Sequence, residues 1–92
     1  MKLFVIGCDS IGERHIRNLT QLHAGKILAY YTNLDRLHLM KEKYNVSIFE
    51  DVERALEQNV DTVLVCTPPN LHIPLAVKAV NYNVHFSVAN IF

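Results

Sequence analysis

The sequence predicts an α/β domain built on a doubly wound parallel sheet of about five strands, with helices on both faces. Apolar runs without polar alternation, typical of strands buried on both faces, occur at residues 3–6, 27–31 and 62–66, and residues 84–88 are a further strand segment. Segments with helical apolar spacing lie between these runs. Short connections between alternating strands and helices favour parallel strands joined by right-handed crossovers.

The first half of the chain predicts two strand–helix units. Residues 3–6 form the first strand, and a helix follows from Ser10, a residue that favours the N-cap position, to a point near Gly25. Residues 27–31 form the second strand, which precedes a second helix. The apolar stripes of the two helices comprise Ile11, Ile16, Leu19, Leu22, Leu34, Leu37, Met40 and Tyr44.

The second half continues this alternation. Residues 46–49 form a short third strand, and Asp51 caps a brief helix. Residues 62–66 are rich in β-branched apolar side chains and form a central strand, which the Thr-Pro-Pro turn at 67–69 ends. A fourth helix follows this turn, and residues 84–88 form the fifth strand. The brief third helix carries Val52, Ala55 and Leu56.

Length and composition predict one globular domain in the cytoplasm. The chain has 92 residues, of which half are hydrophobic. Nine basic residues match nine acidic ones, so no net charge attracts nucleic acid or an anionic membrane surface. No apolar run approaches the roughly 20 residues of a membrane span. Cys8 and Cys66 lie in apolar runs, without the spacing of a disulfide framework or zinc site, which favours a reducing compartment.

The turn after the first strand carries most of a G-x-G-x-x-G pattern, which marks dinucleotide binding in a Rossmann fold. Gly7 would permit the tight turn, Gly12 would let the helix pack close to the sheet, and N–H groups at the helix start would hold a pyrophosphate. Asp9 replaces the second glycine, and its carboxylate would oppose the pyrophosphate or occupy the same anion site. We expect the turns after Ile6 and Cys66 to face one crevice.

Three segments together resemble the glucose-fructose oxidoreductase and inositol dehydrogenase family, often called Gfo/Idh/MocA. They are residues 6–19 (IGCDSIGERHIRNL), 60–72 (VDTVLVCTPPNLH) and 83–86 (NVHF). The resemblance covers essentially the whole chain. It implies that residues 1–92 are an incomplete NAD(P)-binding Rossmann domain, without the sixth strand and without the substrate domain that acts on sugars, cyclitols and related small molecules.

The resemblance also implies a site for NAD or NADP at the turns that follow three strands. Its members are Gly7, Cys8, Asp9, Ser10, Ile11 and Gly12, then Tyr31 and Thr32, and finally Cys66, Thr67, Pro68, Asn70 and His72. No metal site is predicted, because the five histidines show no ligand spacing. We expect Cys8 and Cys66 to be two small buried apolar residues and not a redox pair.

Several positions depart from the family pattern besides Asp9. Tyr31 and Thr32 occupy the end of the second strand, where the family often has an acid for the adenosine ribose. Residues 89–91 read Ala-Asn-Ile in place of Glu-Lys-Pro, whose lysine lies at the family's catalytic centre. We therefore expect weak cofactor binding and no catalytic residue in this chain. The alternative is a non-catalytic Rossmann remnant or interaction module that no longer binds the cofactor.

The fifth strand suggests a further partner. Residues 84–92 contain no Pro, Lys, Arg, Asp or Glu, so they lack the usual guards against pairing at a sheet edge. We expect self-association through strand 84–88 unless a separate substrate domain covers it.

Overall fold

The computed structural model describes residues 1–7 and 10–66 in full, and the backbone of residues 85–88. Every predicted strand is present within one residue of its predicted bounds, and three predicted helices are present. The predicted fourth helix lies outside the described residues. In chain order the elements are β1 (Lys2–Ile6), α1 (Ser10–Gln21), β2 (Lys26–Tyr30), α2 (Leu34–Tyr44), β3 (Ser47–Phe49), α3 (Val52–Leu56), β4 (Thr62–Val65) and β5 (His85–Val88).

The five strands form one parallel sheet in the order β3-β2-β1-β4-β5. The chain moves outward from β1 to β3 on one side and then returns to the other side of β1 with β4. This is the doubly wound order that the sequence predicted. Ile6 at the end of β1 lies opposite Tyr30 of β2 and Val65 of β4. The ends of these three strands are therefore level, and we call this side of the sheet the carboxyl edge.

Two apolar clusters cover the two faces of the sheet. On one face Phe4 and Ile6 of β1 pack with α3, and on the other Val5 of β1 packs with α1 and α2. Because β1 sends alternate side chains into two cores, both sets must be apolar, which explains its continuous apolar run. The first cluster contains Phe4, Ile6, Leu28, Val52, Ala55, Leu56, Val60, Val63 and Val65. The second contains Val5, Ile16, Ile27, Ala29, Leu37, Met40, Val46 and Cys66.

Helix α1 ends four residues before the predicted end near Gly25. His23 adopts a left-handed conformation with φ of +51°, which stops the helix. The N–H of His23 donates to the carbonyl of Thr20 at 3.2 Å, and the N–H of Ala24 donates to the carbonyl of Leu19 at 3.1 Å. This pair of bonds is a Schellman motif. The prediction that Leu22 belongs to the buried stripe was wrong, because Leu22 lies at the capped end and is 75% exposed.

Helix α2 is capped by asparagine at both ends. The Asn33 side chain accepts a hydrogen bond from the N–H of Arg36, and Asn45 adopts the left-handed conformation with φ of +56°. Leu37 and Met40 are buried as predicted. Leu34, at the start of the predicted apolar stripe, is 45% exposed, so the buried part of the stripe begins at Leu37.

The short helix α3 begins where the sequence predicted. The Asp51 carboxylate accepts a hydrogen bond of 2.9 Å from the N–H of Glu53, which satisfies one of the free amide groups of the first turn. Val52, Ala55 and Leu56 are buried against the sheet. Among the residues that the structure describes, no helix has both the length and the apolar character to cross a membrane.

Candidate functional site

Gly7 lies in the middle of the carboxyl edge, directly after β1. It is buried and has a φ of +97°, a conformation that favours glycine over residues with a side chain. Its N–H donates a hydrogen bond of 2.8 Å to the carbonyl oxygen of Tyr30. This bond extends the pairing of β1 and β2 by one residue and fixes the start of the tight turn that the sequence predicted.

Cys66 lies on the other side of Gly7, directly after β4. Its N–H donates a hydrogen bond of 2.8 Å to the carbonyl oxygen of Ile6. The chain segments that follow β1 and β4 therefore start side by side at the carboxyl edge, as expected. The Cys66 side chain is 1% exposed and belongs to the core cluster on the α1 and α2 face, so its interpretation as a small buried apolar residue is confirmed.

Tyr31 and Thr32 follow β2 at the same edge. Tyr31 is half-buried and packs against the core cluster on the α1 and α2 face, whereas Thr32 is exposed. The end of β2 thus presents a phenol and a hydroxyl beside Gly7, with no carboxylate.

Helix α1 begins at Ser10, as predicted, and Ser10 is exposed and is the first helical residue rather than the N-cap. Ile11 is half-buried and Gly12 is buried. A buried glycine in the first turn allows the helix to approach the sheet closely, which is the role predicted for Gly12. The N-terminal end of α1 is therefore positioned at the carboxyl edge, next to the Gly7 turn.

The remaining predicted site residues lie outside the described residues: Cys8, Asp9, Thr67, Pro68, Asn70 and His72. Of the described chain, no group of three or more His, Cys, Asp or Glu side chains is placed to hold a metal ion.

Sequence reasoning missed Glu13, which joins the first turn of α1 to both ends of α2. One carboxylate oxygen accepts a hydrogen bond of 3.0 Å from Arg36 Nη2. The other accepts bonds from Lys43 Nζ at 3.1 Å and from the Tyr44 hydroxyl at 2.7 Å. The Glu13 side chain is only 16% exposed. We call these four residues the Glu13 cluster.

The Glu13 cluster shifts the pKa of two of its members. The hydrogen bonds from Tyr44, Lys43 and Arg36 stabilise the carboxylate and lower the pKa of Glu13 to about 2. The same carboxylate raises the pKa of Tyr44, because loss of the phenolic proton would place two negative charges in contact. Glu13 is therefore a fixed negative charge at any physiological pH.

No local signal in the sequence identifies the Glu13 cluster. Its partners follow Glu13 by 23, 30 and 31 residues, so only the packing of α1 against α2 brings them together. The sequence indicates at most that Lys43 belongs to a polar helix face, whereas the structure places its ammonium group on a carboxylate.

Comparison with known proteins decides the family. The model of the oxidoreductase family with an NAD-binding Rossmann fold, GFO_IDH_MocA, matches residues 1–88. The chain belongs to this family. The match includes every strand and helix described above, and it confirms the resemblance inferred from the three sequence segments.

Three similar proteins illustrate the relationship. Myo-inositol 2-dehydrogenase of Thermotoga maritima is 35% identical over 88 residues, which cover 92% of this chain and 26% of that protein. The crystal structure of a probable dehydrogenase from Thermotoga maritima is 32% identical with a TM-score of 0.87, and the match covers 96% of this chain and 27% of that one. The WlbA dehydrogenase of Bordetella pertussis, solved with NADH and UDP-GlcNAcA, shares the fold with a TM-score of 0.83 at 22% identity, over 95% and 27% of the two chains.

The chain spans about a quarter of the length of the relatives it matches. The matched quarter is the NAD-binding Rossmann domain of the family. Activity and substrate belong to the whole relatives and are treated below as proposals.

Proposed function

We propose that this chain binds NAD or NADP at the carboxyl edge, as the nucleotide-binding part of an oxidoreductase that acts on a sugar, cyclitol or related small molecule. The observation that carries the proposal is the Gly7 turn. It is left-handed, lacks a side chain, and lies between the ends of β2 and β4 directly before α1. The relationship to a myo-inositol dehydrogenase supports the substrate class.

The described residues fit a dinucleotide. The absence of a side chain at Gly7 permits close approach of a pyrophosphate, and N–H groups at the start of α1 would donate hydrogen bonds to it. Buried Gly12 lets α1 hold those groups close to the sheet. Tyr31 and Thr32 are positioned beside the end of β2, where the adenosine ribose would lie. The bound nicotinamide would supply or accept the hydride of the oxidoreductase reaction.

The other proposed contacts come from the turns that follow β1 and β4. Cys8 and Asp9 would lie against the pyrophosphate, and Cys66 would contribute backbone next to Gly7. The family resemblance extends the contact set to Thr67, Pro68, Asn70 and His72.

We propose that binding is weak and that the 92-residue chain catalyses no reaction alone. Asp9 carries a negative charge at the position where the motif has its second glycine, so it repels the phosphates. Asn90 occupies the position of the family's catalytic lysine and has no proton to give at neutral pH. A hydride transfer also needs a pocket that orients the substrate against the nicotinamide, and such a pocket would come from a further domain.

A titration of the purified chain with NADH tests the proposal. The chain contains no tryptophan, so the emission of the reduced nicotinamide itself is the signal to follow. We expect saturable binding that Gly7→Ala weakens strongly, because a side chain at a φ of +97° strains the turn and blocks the approach of phosphate. Circular dichroism of both proteins establishes that loss of binding is not loss of folding.

The second candidate function is a non-catalytic Rossmann module that serves as an interaction domain. Asp9 and the Ala-Asn-Ile sequence at 89–91 favour it, because both remove features that the cofactor chemistry uses. Absence of saturable NADH and NADPH binding at millimolar concentration, with the fold intact, would support this second function and contradict the first.

We propose two further properties of the chain. Its cysteine pattern favours the cytoplasm. Strand β5 is the edge strand next to β4 in the described sheet. Its sequence lacks the charged residues and proline that usually prevent an edge strand from pairing with another chain. The 92-residue chain is therefore proposed to associate with itself through β5 when no other domain covers that edge.

A further inference from the structure

We infer that Glu13 is a positioning residue of the dinucleotide site: through its contacts with α2 it holds the first turn of α1 at the carboxyl edge, where that turn receives the pyrophosphate. The inference rests on the proposed function, since it concerns the same site. It goes further by assigning a role in binding to Glu13 and Tyr44, two residues that the proposed contact set does not include.

The first observation is the way in which the first turn of α1 is attached to the rest of the domain. Ser10 is exposed, Ile11 is half-buried, and Gly12 is buried but has no side chain to pack. The first fully buried apolar side chain of the helix is Ile16, in the second turn. The first turn therefore has little apolar packing of its own. The Glu13 side chain, only 16% exposed, supplies a polar attachment for it.

The second observation is that Glu13 contacts α2 at two separate places. Arg36, in the first turn of α2, donates a hydrogen bond of 3.0 Å to one carboxylate oxygen. Lys43 and Tyr44, in the last turn, donate bonds of 3.1 and 2.7 Å to the other oxygen. Arg36 and Tyr44 lie about 12 Å apart along the helix axis. Contacts at both places restrict how far α1 can slide or tilt against α2, which one contact alone would not do.

The third observation is that α2 is itself firmly fixed. Leu37 and Met40 are fully buried in the core cluster on the α1 and α2 face, and asparagines cap the helix at both ends. Glu13 therefore ties the first turn of α1 to a helix that has its own anchors in the core. Amide groups hold a phosphate oxygen only within about 2.7–3.2 Å, so a displacement of about 1 Å is enough to weaken those bonds.

Position and charge predict opposite effects for Glu13→Gln. A carboxylate near a bound pyrophosphate repels it, so loss of the charge would tighten binding if repulsion dominated. If Glu13 acts by position, the same substitution weakens binding although a negative charge is lost. Glu13→Asp keeps the charge but is one methylene shorter, so it does not reach both ends of α2. It should also weaken binding, whereas an effect of charge alone would leave binding unchanged.

The test measures the dissociation constants of NADH and NADPH by nicotinamide emission, with each variant shown to be fully folded by circular dichroism. We expect Glu13→Gln and Glu13→Asp to weaken binding of both dinucleotides by roughly threefold to tenfold. The factor should be the same for the two ligands, because they share the pyrophosphate. Glu42→Gln and Glu42→Asp are matched controls at an exposed position of α2 and should change neither constant.

Two further variants separate positioning from a loss of stability. Tyr44→Phe removes one donor to Glu13 without a change of charge, at the end of α2 remote from the carboxyl edge. It should weaken binding of both dinucleotides, and it should add nothing to the effect of Glu13→Ala, since both act through one contact. Gly25→Ala is the control for stability, because it introduces an overlap with Met1 at the opposite edge of the sheet. Once folded, it should bind both dinucleotides as the wild-type chain does.

The outcomes are distinct. Weaker binding by Glu13→Asp and Tyr44→Phe, with unchanged binding by the controls, supports the inference. Tighter binding by Glu13→Gln, or wild-type constants for the Glu13 variants, overturns it and leaves the proposed function in place. A similar loss in Gly25→Ala would show that lowered stability accounts for the effect, and it also overturns the inference. Failure of both NADH and NADPH to bind the folded wild-type chain overturns the proposed function and this inference with it.

Discussion

The Tyr44 hydroxyl donates a hydrogen bond of 2.7 Å to Glu13, and this contact ties the last residue of α2 to the first turn of α1. The two helices cover the same face of the sheet, and both begin directly after strands that end at the carboxyl edge. A change in the Glu13 cluster should therefore alter both the stability of that face and the geometry of the candidate site.

Stability should depend on Glu13 at low pH. The folded pKa of about 2 lies below the value of roughly 4.3 in an unfolded chain. The contribution of ionised Glu13 to the free energy of unfolding is thus fully present above about pH 4.5 and is lost as the pH falls toward 2. At neutral pH we expect Glu13→Gln to cost about 1–2 kcal/mol, because the contact to Lys43, which is half exposed, adds little.

Urea unfolding at a series of pH values from 2 to 7 checks this prediction. Glu42→Gln is the matched control, since it removes a carboxylate from an exposed position of α2. It should cost less than about 0.5 kcal/mol. A pH profile of Glu13→Gln that parallels the wild-type profile between pH 2 and 4.5 would contradict the assigned role of Glu13.

The strands and two of the helix starts could be predicted from the sequence because their causes are local. The run at 3–6 is apolar throughout since β1 faces two cores, and Asp51 caps the helix that it immediately precedes. The Gly7 turn was predicted for the same reason, because a glycine between a buried strand and a helix is typical of the tight turn in a dinucleotide-binding motif. The backbone conformation at Gly7, directly after β1, is thus the one that the sequence predicted.

Two other features could not be predicted. The contacts of Glu13 depend on residues distant in the sequence, and the end of α1 depends on a backbone conformation that is unfavourable for its residue. The partners of Glu13 are 23 to 31 residues away, and nothing in the pattern of α1 identifies them. Helix α1 ends at Gln21, because His23, a residue with a side chain, adopts the left-handed conformation just after it. The sequence favoured Gly25 as the end, because glycine is the usual residue at that position of a helix terminus.

Substitutions at Gly25 and His23 should change the free energy of unfolding in opposite directions. Gly25 has a φ of +136°, and a Cβ atom there would overlap the carbonyl oxygen of Met1, which accepts the N–H of Lys26. We expect Gly25→Ala to destabilise the fold by about 1–3 kcal/mol. His23→Gly should stabilise it by up to about 1 kcal/mol, because glycine adopts a φ of +51° without strain. Urea unfolding measures both, and stabilisation by Gly25→Ala would contradict the close approach to Met1.

The edge at β5 should control self-association of the 92-residue chain. β5 pairs with β4 and has no neighbour on its other side among the described strands. We expect light scattering to show dimers or larger species at high micromolar concentration. Ile91→Lys or Val88→Lys should restore a monomer by placing a charge at the edge. Lys41→Gln is a control on the exposed surface of α2, and it should leave association unchanged. A monomeric wild-type chain at that concentration would show that β5 does not mediate self-association.

Removal of the carboxylate at Asp9 should strengthen cofactor binding. At about 4 Å and an effective dielectric near 20, a carboxylate opposes each phosphate charge by up to roughly 4 kcal/mol before screening by salt. We therefore expect Asp9→Gly to lower the dissociation constants of NADH and NADPH by about tenfold or more. The unliganded fold should become slightly less stable, because a negative charge near the start of α1 interacts favourably with the helix dipole.

The matched control for Asp9→Gly is Glu57→Gln, which removes a carboxylate from the exposed C-terminal end of α3, away from the carboxyl edge. It should leave both dissociation constants unchanged, so that a change in net charge alone does not account for tighter binding. Isothermal titration at two salt concentrations adds a second readout. The gain from Asp9→Gly should shrink at high salt, because screening weakens the repulsion that the substitution removes. Equal or weaker binding by Asp9→Gly, with the fold intact, would show that Asp9 does not oppose the phosphates.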